Sequence, residues 1–459
     1  MDQKPEANRS VPQSVEAFRS DISQASVLVV DDEPGMRNFL AKSLATACGR
    51  VDVTSNTIEA SDMLDRFRYD VVVLDNIMPQ KNGVAWLAEQ RQIGLFSDAI
   101  LMTAYADLET AIAAIRAGAC DFLLKPFRVD QLLKSIGQTL ERSRLKRQNV
   151  LLNHELGVSS DGLRHRSAIL GSSPEIETAR AAIERAGRTN ASCVIRGEVG
   201  SGKQVAARML HAASDRADKP FFWLQSYGMT EEAMQERLFG KISAGDQDES
   251  NTDGILLNAA GGTLFLDEVE VLSLPCQSIL VELLTTGRFR PLGATRSVPL
   301  DVRIVSSTTR SLQSVVQDGA FRADLYYLLN VVEIDLPPLR ERRSDVLDLA
   351  NYFITHLSGQ MGIPAPELTA ATRRRLLAHH WPGNVMELRN YIERALIHND
   401  FETSLVLDGG SHPTESLAAA EQRHILSVLE ACGGNRAEAA RRLGVARKTI
   451  DRKCQTWGL

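Results

Sequence analysis

The sequence predicts a multidomain α/β protein: two successive α/β domains, a helical extension of the second, and a small all-α unit at the C-terminus. Three observations carry this. The chain has 459 residues, about three times the usual domain of roughly 150 residues, so a single core is excluded. Short, fully apolar runs, VLVV (27–30), VVVL (71–74), AILM (99–102) and FLL (122–124), alternate with helix-like segments, and a second alternation begins at Ile169 with SCVIR (192–196), TLFLD (263–267) and VRIVSS (302–307). Such runs between amphipathic helices mark a parallel sheet covered on both faces. Residues 415–459 read instead as three helices.

Composition narrows the function classes. An apolar fraction of 44% and a charged fraction of 24% exclude a mainly disordered chain. The 58 acidic residues outnumber the 52 basic ones, for a net charge of −6. The molecule as a whole is therefore no nucleic-acid-binding polycation, and any DNA affinity is confined to one segment. Cys48, Cys120, Cys193, Cys276, Cys432 and Cys454 are far apart, without a CxxC pair, against a disulfide framework or a zinc site. No apolar stretch approaches about 18 residues, and MDQKPEANRSVPQS lacks the apolar core of a signal peptide. A cytoplasmic protein without membrane contact is expected.

The chain divides as follows. Residues 1–24 are a polar, flexible tail. The first domain spans 25–140, and a linker helix and loop, 141–166, follow. The second α/β domain covers 167–335, and its helical lid 336–398. Residues 399–414 form a polar linker before the C-terminal unit at 415–459.

In the first domain, residues just after the strand ends meet at one sheet edge, where ligands bind. This collects Asp31, Asp32 and Glu33 after the first strand, Asp75 after the third, Thr103 after the fourth, and Lys125 before Pro126 after the fifth. Clustered carboxylates repel one another, so Mg²⁺ held by Asp31, Asp32 and Asp75 is expected. An aspartate beside a cation, a hydroxyl and an ammonium is set to accept a phosphoryl group. The alternative, that each Asp merely caps its helix, fails to explain why all of these groups fall on successive strand ends. VVDDE, LDNIMP, MTAY and LLKPF resemble the four patches of a two-component receiver domain. The resemblance implies a flavodoxin-like fold, Asp75 as phosphoacceptor, Asp31 and Asp32 on Mg²⁺, Thr103 and Lys125 on the phosphoryl group, Phe122 at the aromatic switch position, and a sensor histidine kinase as partner.

In the second domain, Gly197–Glu198–Val199–Gly200–Ser201–Gly202–Lys203–Gln204 follows an apolar strand and opens a helix. Backbone N–H groups of such a loop and the helix N-terminus bind phosphates, and Lys203 reaches the outer ones. Gln204 stands where a strict P-loop has Ser or Thr. Asp267 and Glu268 close the strand TLFLD, suited to Mg²⁺ binding and water polarisation. The predicted ligand is ATP. ILGSSPEI, GEVGSGK, LFG, GGTLFLDE, FRADLYY, LPPLRERRSD and WPGNVMELRN resemble the AAA+ sigma-54 interaction domain of the NtrC family. The departures from that family are specific. Its sigma-54-gripping GAFTGA loop is replaced by KISAGDQDESNTDG (241–254). Arg322 matches one of two arginines that reach across a subunit boundary, but the second is Leu328. The sensor arginine is Met386, and the sensor-strand asparagine is Thr309. A transition-state arginine supplied in trans is worth about 10³–10⁵ in rate. ATP binding with weak or no hydrolysis is expected.

Residues 421–459 carry eight Lys/Arg against four acidic residues. Asn435 precedes the short helix RAEAARRLGV, Gly444 permits a tight turn, and ARKTIDRKCQTW forms the next helix, as in a helix-turn-helix. GGNRAEAARRLGVARKTIDRK resembles the Fis-type DNA-binding domain that ends NtrC-family regulators. Arg447, Lys448, Thr449, Arg452 and Lys453 are placed against promoter DNA, with Asp451 where the family commonly has an aromatic. The helix 421–431 is expected to form a homodimer face.

The leading function is a response regulator that binds DNA under control of Asp75 phosphorylation. Its AAA+ domain binds ATP and assembles a dimer or higher homo-oligomer, and it acts on RNA polymerase without remodelling the sigma-54 form. The alternatives are an ATP-hydrolysing sigma-54 activator with a degenerate loop, and an adaptor using the receiver as a docking platform. The intact DNA reader disfavours the adaptor.

Overall fold

A computed structural model describes residues 22–93, 97–104, 108–156, 168–226, 228–241, 252–401, 425, 428, 429, 432 and 435–456. Two compact units, 1–390 and 391–459, are considered separately.

The first unit opens with a five-stranded parallel sheet of order β2-β1-β3-β4-β5. Its strands are β1 (Ser26–Val30), β2 (Arg50–Thr54), β3 (Val71–Asp75), β4 (Asp98–Thr103) and β5 (Asp121–Leu124), interleaved with α1 (Pro34–Ala45), α2 (Thr57–Arg66), α3 (Gly83–Ile93), α4 (Leu108–Arg116) and α5 (Val129–Leu156). Alternate residues of β1, β3 and β4 enter opposite cores, as a pleated backbone requires. Leu28, Val30, Val72, Leu74 and Leu101 pack with Trp86 and Leu87 of α3. Val27, Val29, Val71, Val73 and Ile100 pack with Leu40 and Leu44 of α1 and with Leu132 and Ile136 of α5. Fully burying one such Val or Leu contributes about 1.5–3 kcal/mol. Local signals set the helix ends: Pro34 opens α1, and the Asn56 side chain caps α2 by accepting from the Glu59 N–H.

The last helix of this domain does not stop near residue 140. α5 runs unbroken into the segment read as a linker, and Val150 and Leu151 pack on the core of the next domain. That domain begins with α6 (Pro174–Gly187), β6 (Cys193–Arg196), α7 (Lys203–Ala212), β7 (Phe221–Gln225) and α8 (Glu231–Phe239). The paired β8 (Gly240–Lys241) and β9 (Thr252–Asp253), α9 (Ile255–Asn258), β10 (Thr263–Asp267) and α10 (Leu274–Thr286) follow. Next come the hairpin β11 (Arg288–Phe289) and β12 (Val298–Pro299), β13 (Arg303–Thr308), α11 (Leu312–Gln317), α12 (Ala323–Leu329) and β14 (Val332–Asp335). The central sheet is parallel, in the order β14-β6-β13-β10-β7. The helical extension consists of α13 (Arg343–Met361), α14 (Ala370–Ala378) and α15 (Asn384–His398).

The two α/β domains touch through α2 and the β11–β12 hairpin. Arg296 pairs with Asp65, and Arg288 donates from Nη1 to the Asp65 carbonyl. Leu64, Phe67, Val298 and Pro299 line a small cavity beside these contacts. Leu292 within the hairpin bridges to Lys241 at the foot of segment 242–251.

In the second unit, α16 (Arg436–Arg442) and α17 (Arg447–Thr456) are joined by a turn. Gly444 adopts φ +66° there, a conformation that L side chains rarely take. Asn435 caps α16, accepting from the Ala437 and Glu438 N–H groups. Ile425, Ala440, Ile450 and Cys454 form its buried core. Of the tail expected over 1–24, residues 22–24 are described, and Ile22 is buried in the core with Val27 and Leu40. Residues 1–21, the loop 157–167, the carboxylate-rich segment 242–251, residues 402–424 and most of helix 421–431 lie outside the described residues.

Candidate functional site

The first site forms at the carboxyl edge of β1, β3, β4 and β5. Asp31 is fully buried, and Asp75 is only 5% exposed. Asp31 Oδ1 accepts from the Glu33 N–H at 2.9 Å, which turns its other oxygen inward. Lys125 Nζ lies 2.9 Å from both Asp31 Oδ2 and Asp75 Oδ2. Its backbone N–H donates to the Thr103 carbonyl at 2.8 Å, so the strand ladder holds the lysine next to buried Thr103. The Lys125–Pro126 peptide is cis.

Oxygens of Asp31, Asp32 and Asp75 lie within 4.8 Å of one another. Three carboxylates facing one ammonium leave two negative charges uncompensated, and hard oxygen ligands suit a divalent cation such as Mg²⁺. Burial pushes the Asp75 carboxyl up, against hydrogen bonding from Lys125, which pulls it down. Burial disfavours the charge on Lys125, but its bonds to Asp31 and Asp75 outweigh this and raise its pKa. Phe122, on β5, is 42% exposed beside this edge.

The second site lies between β6 and α7. Gly200 and Gly202 have φ of +75° and +105°, which lets the loop aim its N–H groups inward. Lys203 is buried, and Nζ donates to the carbonyls of Gly197 at 3.0 Å and Glu198 at 3.4 Å. The Ser201 hydroxyl and the Gln204 amide nitrogen are buried without hydrogen-bond partners. With the lysine, they make a loop that fits a nucleotide phosphate. Asp267, at the end of β10, accepts from the Ser307 hydroxyl. Glu268 follows in a left-handed conformation with its N–H donating to Ser307 Oγ at 3.0 Å. Burial raises the Asp267 carboxyl; burial and then the Asp267 charge raise Glu268. Burial lowers Lys203, against the pull of Asp267, Glu268 and Glu270.

The lid grips this loop through residues that sequence reasoning missed. Arg340 forms a two-pronged pair with Glu198, both contacts 2.7 Å. Asn384 Nδ2 donates to Glu198 Oε2 at 3.1 Å and to the Val199 carbonyl at 3.0 Å, while its Oδ1 accepts from the Leu339 N–H. The Val385 N–H donates to the Gly200 carbonyl at 3.1 Å. Met386 stands next to Gly200, its Cβ 3.0 Å from where a Gly200 Cβ would lie. Thr309 donates from N and Oγ1 to Glu270 Oε1 at 2.8 and 3.0 Å, another pairing not foreseen. Arg322 is engaged with Asp324 and Ser278.

The third site is the surface of α17. Arg447, Lys448 and Arg452 are exposed, Thr449 and Lys453 are half-buried, and Ile450 and Cys454 face the core. The exposed basic groups therefore share one side of the helix.

Residues 27–137 match the response regulator receiver domain, 169–335 the sigma-54 interaction domain, 340–408 the AAA+ ATPase lid domain, and 416–456 the Fis family of bacterial regulatory proteins. The chain is 33% identical to the regulatory protein AtoC of Escherichia coli, over 94% of this chain and 98% of that one. It is 34% identical to the C4-dicarboxylate transport transcriptional regulatory protein DctD of Pseudomonas aeruginosa, over 95% of each. The solved structure of NtrX from Brucella abortus in complex with ATP is similar with a TM-score of 0.50 and 29% identity, covering 95% of this chain and all of that one.

Proposed function

Because the chain belongs to the NtrC family of two-component response regulators, a phosphorylation-controlled DNA-binding transcriptional regulator, we propose that its AAA+ domain binds ATP and assembles subunits without remodelling sigma-54 polymerase. In the receiver, Asp75 takes the phosphoryl group from a sensor histidine kinase. Lys125 neutralises the incoming charge, and the Thr103 hydroxyl donates to a phosphoryl oxygen. Asp31, Asp32 and Asp75 would hold Mg²⁺, which would supply charge to shield the phosphoryl oxygens. Arg447, Lys448, Thr449, Arg452 and Lys453 engage promoter DNA. The protein works in the cytoplasm as a homodimer or higher homo-oligomer. It acts through the main RNA polymerase or by occlusion.

The observation that carries the non-remodelling reading is Met386. It stands against the phosphate loop where the family has an arginine and itself brings no cation, while Arg340 and Arg342 are engaged with Glu198 and the Ser201 carbonyl. Leu328 removes a second arginine, and residues 241–254 replace the aromatic–Thr loop with Asp246, Asp248, Glu249 and Asp253. Carboxylates at a packed interface lose hydration without gaining partners. The competing reading, an ATP-driven sigma-54 activator, draws support from the intact Lys203, Asp267 and Glu268. The two separate in a purified system of this protein, ATP, a phosphodonor, sigma-54 polymerase and a sigma-54 promoter. No open complex is expected; robust open-complex formation restores the activator.

A further inference from the structure

We propose that Asp451 is a specificity-determining residue of the DNA reader, taking a cytosine amino group in the major groove. The inference rests on the reading of α17 as the helix that enters the groove.

On α17, Ile450 and Cys454 are buried with Ala440, which fixes the opposite arc as the free surface. With 3.6 residues per turn, that arc carries Lys448 and Arg452, with Arg447 and Asp451 on its flank. Asp451 lies one turn beyond Arg447 and, around the helix, between Arg447 and Lys448, on the flank of that arc. Every other charge there is positive. A carboxylate among the basic groups of a face that approaches a polyanion weakens attraction to phosphates, so non-specific affinity does not account for it.

Neither does stability. Asp451 Oδ1 is 3.5 Å from Arg436 Nη1, and Oδ2 is 3.7 Å from Arg447 Nε. The Arg447 side chain is 70% exposed and that of Asp451 40%. Long, solvated pairs of this kind contribute little to folding. Asp451 caps no helix and fills no core position.

What remains is its chemistry as a pure acceptor. Among base edges in the major groove, cytosine N4 offers a donor to a carboxylate, whereas guanine N7 and O6 repel it. Arg436 and Arg447 flank the carboxylate on both oxygens. They offset its repulsion from the phosphates. Arg447, one turn earlier, is left its terminal nitrogens for a neighbouring guanine or phosphate.

The test is selection from a randomised-operator library by the full-length protein with phosphodonor, comparing wild type, Asp451→Asn, Asp451→Ala and Arg452→Ala. The wild type should select cytosine at one position of each half-site. Asp451→Asn keeps the shape but adds donors, and it should move that position towards adenine. Asp451→Ala should lose the preference there by about fivefold or more, keep the other positions, and bind mixed-sequence DNA more tightly. An unchanged base preference in both Asp451 variants, with binding weakened in Arg452→Ala, overturns the role of Asp451 and leaves the reading helix in place. Full affinity in Arg452→Ala together with unchanged selection by every variant overturns both.

Discussion

Gly200→Ala probes the seat of the lid on the phosphate loop. The Cβ it adds would lie 2.2 Å from the Gly383 carbonyl oxygen and 3.0 Å from Met386 Cβ, where ordinary contact begins near 3.4 Å. Backbone, not a flexible side chain, is in the way, so residues 383–386 must retreat by roughly 1 Å to reach that contact distance. The retreat breaks the 3.1 Å bond from the Val385 N–H to the Gly200 carbonyl and stretches the contacts of Asn384 with Glu198 and Val199. Holding alanine at φ +75° costs about 1–2 kcal/mol, and a lost hydrogen bond about 0.5–1.5 kcal/mol. Together these make the loop-on-lid arrangement about 1.5–3.5 kcal/mol less favourable, equivalent to roughly a 10- to 300-fold loss of nucleotide affinity if ATP binds only that arrangement. Titration with a fluorescent ATP analogue and Mg²⁺ measures it, with Asp75 labelling as the check that the first domain is intact. Affinity within twofold of wild type would refute the claim that the lid and loop form one binding surface.

Three further outcomes are expected. Asp75→Asn, or chelation of Mg²⁺, should abolish uptake of label from a small phosphodonor while the far-ultraviolet circular dichroism stays unchanged; wild-type labelling in either case removes Asp75 from the phosphoacceptor role. Lys203→Ala takes the ammonium from a site where Asp267, Glu268 and Glu270 already gather negative charge, and should weaken ATP binding at least about tenfold, as for an unpaired buried charge; unchanged affinity would make the loop structural. Asp65→Ala removes the ion pair with Arg296, a half-exposed contact worth about 0.2–1 kcal/mol, and should speed amide exchange in residues 288–299 by roughly 1.5- to 5-fold with Asp75 labelling unaltered; exchange equal to wild type would mean that α2 does not restrain the hairpin.

The parts of the fold legible in the sequence are those whose partners matter least. VLVV and VVVL are buried on both faces and announce themselves as apolar runs. β2, RVDVT, is an edge strand of which only Thr54 is buried, and no apolar run betrays it. β7, FFWLQ, is apolar but five residues long, and such a run is ambiguous between strand and helix by periodicity alone. The change of composition near Gln138 reads as a boundary, yet α5 passes through it. A helix satisfies its own backbone hydrogen bonds, so it can change packing partners, from Leu132 and Ile136 on one core to Val150 and Leu151 on the next, without a break.

The same division runs through the sites. Phosphate binding is local chemistry: a strand, a glycine loop, a lysine and a helix N-terminus within a dozen residues, so the loop from Gly197 to Gln204 is readable as text. The receiver cluster is readable for another reason. A parallel sheet brings all its strand ends to one edge, so Asp31, Asp75, Thr103 and Lys125 converge once the strands are placed. Neither rule reaches the clamp of Glu198 with Arg340 and Asn384, whose members lie 142 and 186 residues apart in the chain. No spacing encodes that meeting; it follows from how the lid packs on the α/β domain. The consequence bears on Met386. In the text it is only a missing arginine. In the fold it stands against the loop that Asn384 and Val385 hold in place, so the lid can still close on the phosphate loop, with Arg340 on Glu198 and Arg342 on the Ser201 carbonyl, while position 386 itself brings no charge. On the proposed reading, that separation of grip from catalysis lets nucleotide binding and assembly persist where hydrolysis is weak.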